Sequence, residues 1–108
     1  MLDLNSAEIQ SNETDKYGPV QRIDFLVKAV SQPGITRSEL AVLIVLANYT
    51  NSKTGLSWPA YETFANSGGM SKQAAIRAIH KLEGYGFITR QRRKKDHTNL
   101  SNVYQLNI

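Results

Sequence analysis

SWPAYETFANSGGMSKQAAIRAIHKLEGYGF, residues 57–87, is the stretch whose reading decides the fold. It divides at Gly68-Gly69-Met70 into two short amphipathic segments, and Ser71 opens the second as an N-cap. In that second segment Ala75, Ile76, Ile79 and Leu82 fall on one side at helical spacing, while Lys72, Gln73, Arg77 and Lys81 fall on the other. Two helices joined by a tight glycine-bearing turn, the second with a basic polar face, are a common means of placing a helix in the DNA major groove.

Upstream, Pro59 suits the first turn of the leading helix, and Tyr61, Phe64 and Ala65 give it an inward face. Leu56-Ser57-Trp58 reads as a short strand, and Trp58, in a short turn between helices, could stack on a base but is expected instead to pack beneath the helix that follows. Before it, Asn51 to Gly55 is loop chemistry. Thr36 and Glu39 form a capping box for a helix running to about Tyr49, apolar nearly all round and therefore central to the core. Pro19 starts an earlier helix that Gln32-Pro33-Gly34 stops; Ile23, Leu26, Val27 and Val30 make its apolar face, with Phe25 beside it. Residues 1–18, polar and without periodicity, read as a flexible tail.

Downstream, Gly84-Tyr85-Gly86 ends the second motif helix. Residues 87–93 and 102–108 read as antiparallel strands, the latter with Tyr104, Leu106 and Ile108 on one face, joined by a basic loop over 94–101. The expected class is α+β and mostly helical: a winged helix-turn-helix of about four helices plus a C-terminal β-hairpin wing, occupying residues 19–108.

At 108 residues the chain makes one domain with a modest core. It has no cysteine, which excludes disulfides and thiolate metal sites. No stretch approaches the roughly 20 apolar residues of a membrane span. The first residues lack the regions of a signal peptide, so the cytoplasm is the expected location. The net charge is only +4, but its distribution is uneven. Residues 1–19 hold four carboxylates against Lys16, whereas residues 71–95 hold eight cations against Glu83, a balance of +7. A polyanion would bind the C-terminal third.

TRSELAVLIVLANYTN, the 57–87 stretch with its continuation ITRQRR, and SNVYQLN together resemble winged-helix domains of bacterial plasmid, phage and mobile-element proteins. Such domains stand at the N-terminus of replication initiators and in related regulators. Trp58-Pro59, Ser71, Leu82 to Phe87 and Asn102 to Tyr104 carry the resemblance, which covers about residues 35–108. One departure is Gly68-Gly69, where these domains usually have one glycine after a polar residue. The resemblance implies binding to double-stranded DNA. The chain's end at the last strand suggests an N-terminal domain of a longer protein, which tilts the expectation toward an initiator over a transcription regulator.

Within that frame, Gln73 can pair bidentately with adenine and Arg77 with guanine, while Ser71 and Lys72 suit phosphates and Lys81 at most touches the backbone. In the wing Arg90, Arg92, Arg93, Lys94, Lys95 and His97 supply charge, and about three of them are expected on DNA, one at the tip in a narrow minor groove. One recognition helix reads only a half-site, so a homodimer is expected, with Phe25, Leu26 and Val30 of the first helix as its surface.

Three other function classes compete with duplex binding. An enzyme is disfavoured: His80 and His97 are the only histidines, His80 reads as a packing residue, and no phosphate loop or nucleophile motif is visible, so no catalytic residue, metal or cofactor is expected. A protein-interaction winged helix is the alternative of another class, opposed by the +7 segment. Single-strand or RNA binding would need aromatic platforms exposed among the basic residues, and Tyr85, Phe87 and Tyr104 are better placed for packing.

Overall fold

The helix that organises the core starts where two side chains fix its free amides. The Thr36 hydroxyl accepts from the Glu39 amide at 3.1 Å, and the Glu39 carboxylate accepts from the Thr36 amide at 3.0 Å, the reciprocal box read from the sequence. The structure, a computed structural model, describes residues 15–95, 98–99 and 101–108. Its helices are α1 (Pro19–Val30), α2 (Arg37–Tyr49), α3 (Tyr61–Gly68) and α4 (Lys72–Tyr85). Its strands are β1 (Leu56–Ser57), β2 (Ile88–Gln91), β3 (Lys94–Lys95), β4 (Thr98–Asn99) and β5 (Val103–Leu106). The fold is the mostly helical α+β architecture of a winged helix-turn-helix. Residues 1–14, most of the N-terminal stretch read as a tail, lie outside the described residues.

β5 is the middle strand of an antiparallel sheet ordered β1-β5-β2. Its register pairs Ser57 with Tyr104, Arg90 with Tyr104, and Ile88 with Leu106. Because strand side chains alternate, Ser57, Tyr104, Leu106 and Ile88 all face the helices and are buried. They meet Val42, Leu43 and Leu46 of α2, Phe64 of α3, and Ala75, Ile79 and Leu82 of α4. Phe64 and Tyr104 pack edge to face at 5.6 Å. The segment between the long strands is more regular than a loop: β3 and β4 pair as a short ladder, Lys94 with Asn99 and Lys95 with Thr98.

The structure decides one orientation that the sequence leaves open and corrects one expectation. Ile23, Val27 and Val30, three of the four residues of the apolar face read from the sequence, are more than half exposed, as is Val20. The helix instead turns Phe25 and Ala29 to the core. Phe25 packs edge-on against Phe87, with ring centroids 6.1 Å apart. On the same side Arg22 reaches the end of α2, where its guanidinium donates to the carbonyls of Ala47 at 2.6 Å and Thr50 at 3.2 Å and to the Ser52 hydroxyl at 3.3 Å. Those carbonyls belong to a helix end that has no later amides of its own to bond. A large ring and a cation with waiting acceptors outweigh four β-branched residues.

Trp58 is the expectation corrected. It is 54% exposed rather than packed beneath α3. The alternation of β1 runs on past its end, so that Gly55, Ser57 and Pro59 are buried and Trp58 points the other way. Phe64 already fills the space beneath α3.

Candidate nucleic-acid interface

The turn between α3 and α4 is set by local chemistry. Gly69 takes the left-handed conformation, φ 66°, that ends α3, and the Met70 amide donates back to the Ala65 carbonyl at 3.0 Å. Ser71 then caps α4, its hydroxyl accepting from the Ala74 amide at 3.1 Å. The Lys72 and Gln73 amides, in the first turn, have no intrahelical acceptor. At the other end Gly86 closes α4, with the Phe87 amide on the Leu82 carbonyl at 3.0 Å. The helix is held rigidly at both ends, and Ala75, Ala78, Ile79 and Leu82 fix its rotation by burial.

That rotation turns Ser71, Lys72, Gln73, Arg77, His80 and Lys81 outward, all of them exposed. His80 thus belongs to the polar face and not to the packing face where the sequence reading put it. Gln73, Arg77 and Lys81 make no side-chain hydrogen bond or ion pair among the described residues, so their donors are available. Lys72 is engaged: its ammonium lies 3.3 Å from the Glu62 carboxylate on α3. The backbone amide at the start of α3, and then the Lys72 ammonium, hold the Glu62 carboxyl below the usual carboxylate range. Both side chains are at least half exposed, so a phosphate can exchange for Glu62 at little cost.

The hairpin cations divide in the same way. Arg90 shares the strand parity of buried Ile88 and turns inward, where its Nη2 and Nε lie 3.1 and 3.3 Å from one oxygen of Glu83 on α4. That shared parity with Ile88 was a signal already in the sequence. Arg93 donates from Nε to the Ser101 carbonyl at 2.9 Å and lies 5.9 Å from the centroid of the Trp58 ring. Arg92 is exposed and lines a cavity of about 350 Å³ between the start of α3 and the base of the hairpin, with Glu62 and Asn102. Lys94 and Lys95 lie on β3. His97 lies outside the described residues.

Beneath that cavity the buried Asn102 amide donates to the hydroxyls of Tyr61 at 3.1 Å and Tyr104 at 3.2 Å, tying α3 to the hairpin. Burial pushes the Tyr104 hydroxyl up to about 12. The three residues fix how far the hairpin stands from α3, and hence from α4.

Of the expected dimer surface, Phe25 is buried within its own chain, Leu26 is half-buried and Val30 is exposed. Among the described residues, no group of histidine, cysteine and carboxylate side chains could hold a metal ion, and no helix is long and apolar enough to cross a membrane.

The model of a family described as "Helix-turn-helix domain" matches residues 34–88, just over half of the chain. Protein YmfN of Escherichia coli (strain K12) is 34% identical over 62 residues, which is 57% of this chain and 13% of that protein. The chain therefore spans a small part of the curated relative it matches. No solved structure matches.

Proposed function

The chain belongs to the helix-turn-helix domain family, and from that premise we propose that it reads double-stranded DNA by sequence, with the start of α4 in the major groove and the hairpin on the backbone or minor groove. The observation that carries the reading is the outer face of α4. Gln73 and Arg77 stand exposed, one turn apart and without a side-chain partner among the described residues, on a helix whose rotation is set by its cap, its exit and its buried face. Gln73 matches adenine and Arg77 matches guanine O6 and N7. Ser71 keeps its O–H free to donate to a phosphate while its oxygen serves the cap, and the amides of the first turn favour the same charge. Lys72, Lys81, Arg92, Lys94, Lys95 and His97 add phosphate contacts, whereas Arg90 serves as a brace to Glu83.

The test compares Arg77→Ala on a selected binding sequence and on random duplex by fluorescence anisotropy. The variant should lose about 1–3 kcal/mol on the selected sequence and little on the random one. An equal loss on both would remove the base-reading role.

We further propose the origin-binding role of a replication initiator, on the strength of the winged-helix resemblance; a transcription regulator would use the same surface. Duplexes tiled along the DNA flanking the gene separate them, since repeats at an origin select the first and a lone promoter palindrome the second. A homodimer would supply the second half-site, and the exposed seam Val20, Ile23, Val27 and Val30, spaced 3-4-3 along α1, suits a copy of itself better than the surface read from sequence. Sedimentation of Val27→Asp tests it: a mass unchanged from that of a dimeric parent would remove the seam.

A further inference from the structure

Trp58 is the chain's only tryptophan, and its exposure is not an isolated accident of a loop. Its ring and that of Tyr49, which is 51% exposed, line one open groove of about 560 Å³ at the base of the hairpin. That volume falls within the range of small-ligand sites, about 300–1,000 Å³. Leu56, Pro59 and Ala60 add apolar floor, and among the described residues no carboxylate lines it. Arg93 stands at the rim. Its Nε is held by the Ser101 carbonyl and its guanidinium lies along the indole, while its two terminal nitrogens have no partner among the described residues. Asn51 also lines the groove; its Oδ1 accepts from the Lys53 and Thr54 amides, which leaves its amide nitrogen without a partner among the described residues.

We propose that this groove is a stacking site for an unpaired nucleobase, with the Trp58 indole as platform and Arg93 as the partner of the adjoining phosphate. A half-exposed flat ring in a concave site offers a π-face, and a base presents its π-face only when it is out of the duplex stack. The cation beside the ring selects an occupant that carries negative charge next to its aromatic group, as a nucleotide does. The same Pro59, Ala60 and Ser101 border the cavity on the α3 side that Arg92 lines, so a strand leaving the duplex at the hairpin would reach Trp58 directly. The inference goes beyond duplex reading and does not depend on it.

The test titrates the whole chain with three labelled DNAs: a closed duplex, the same duplex with an internal bubble of unpaired thymines, and an oligothymidine. Emission from Trp58 should be quenched by the bubble and by oligothymidine but not by the closed duplex. Trp58→Ala should weaken both of the former about tenfold, Trp58→Phe should retain them within about threefold, and neither should alter the closed duplex. Absence of quenching, or an equal loss on all three DNAs, would overturn the proposal. Binding to the closed duplex with no preference for the bubble would overturn it while leaving duplex reading intact. Quenching by oligothymidine without duplex binding would sustain it while removing duplex reading.

Discussion

Arg90→Ala should lower the stability of the fold and spare DNA binding, because the Arg90 side chain is turned to Glu83 at the end of α4. Its Nη2 and Nε converge on one carboxylate oxygen at 3.1 and 3.3 Å, with side-chain exposures of 20% for Arg90 and 37% for Glu83. At such a distance and an effective dielectric near 20 the bare attraction is about 5 kcal/mol, but desolvation of both groups offsets most of it. The pair sits between exposed ion pairs, worth about 0.2–1 kcal/mol, and hydrogen bonds to charged groups, worth about 1.5–3 kcal/mol. Glu83 is open enough to rehydrate when its partner is lost, which keeps the cost near the middle. The expected loss is about 1.5 kcal/mol, or roughly 6–12 °C in melting temperature for a domain of this size. Urea unfolding of Arg90→Ala, Glu83→Gln and the double variant should give a coupling of about 1 kcal/mol. DNA affinity, measured well below the midpoint, should stay within about twofold. A melting temperature unchanged from the parent, together with a tenfold loss on DNA, would refute the brace and return Arg90 to the binding surface.

Two further predictions concern parts of the frame with no proposed contact to DNA. Arg22→Met keeps the aliphatic stem but strands the Ala47 and Thr50 carbonyls, so it should cost about 2 kcal/mol in urea unfolding and leave DNA affinity unchanged; a stability loss below about 0.5 kcal/mol would show that water replaces the guanidinium freely. Tyr104 gives a pH dependence. Its hydroxyl is raised in the folded state to about 12 from 10.0, so the unfolded chain loses its proton first and stability falls as pH climbs from 10 toward 12. The loss should approach about 2 kcal/mol and be absent in Tyr104→Phe; parallel pH profiles for parent and variant would assign the alkaline loss elsewhere.

What the sequence made legible, and what it did not, follows from which interactions are local. The cap of α4, its glycine exit, the capping box of α2 and the burial of Ala75, Ile79 and Leu82 are all decided within a few residues, and spacing alone finds them. The rotation of α1 is not local. The helix carries two apolar faces, and the choice between them rests on Phe87 and on the carbonyls at the end of α2, far away in sequence. The direction of Trp58 is not local either. Its direction follows from the pairing of Ser57 with Tyr104, nearly fifty residues on, and no property of Leu56-Ser57-Trp58 by itself fixes that parity.

Charge shows the limit most sharply. Residues 71–95 carry a balance of +7, which invites the view that seven charges face the ligand. Yet Arg90 binds Glu83, Arg93 is tied by its Nε to Ser101 and lies along Trp58, and Lys72 starts on Glu62. Among the described side chains of that segment, Arg77, Lys81 and Arg92 remain without a hydrogen bond, ion pair or ring contact. The three engaged cations differ in what they can release. Lys72 gives up only a solvent-exposed partner, so a phosphate can take it. Arg93 keeps two nitrogens for a ligand without breaking its backbone bond. Arg90 would have to abandon the contact that holds β2 to the end of α4, and so lower the stability of the helix it was supposed to assist. Proximity to a basic patch therefore does not rank these residues as ligands for DNA; the free-energy cost of leaving the partner each already has does.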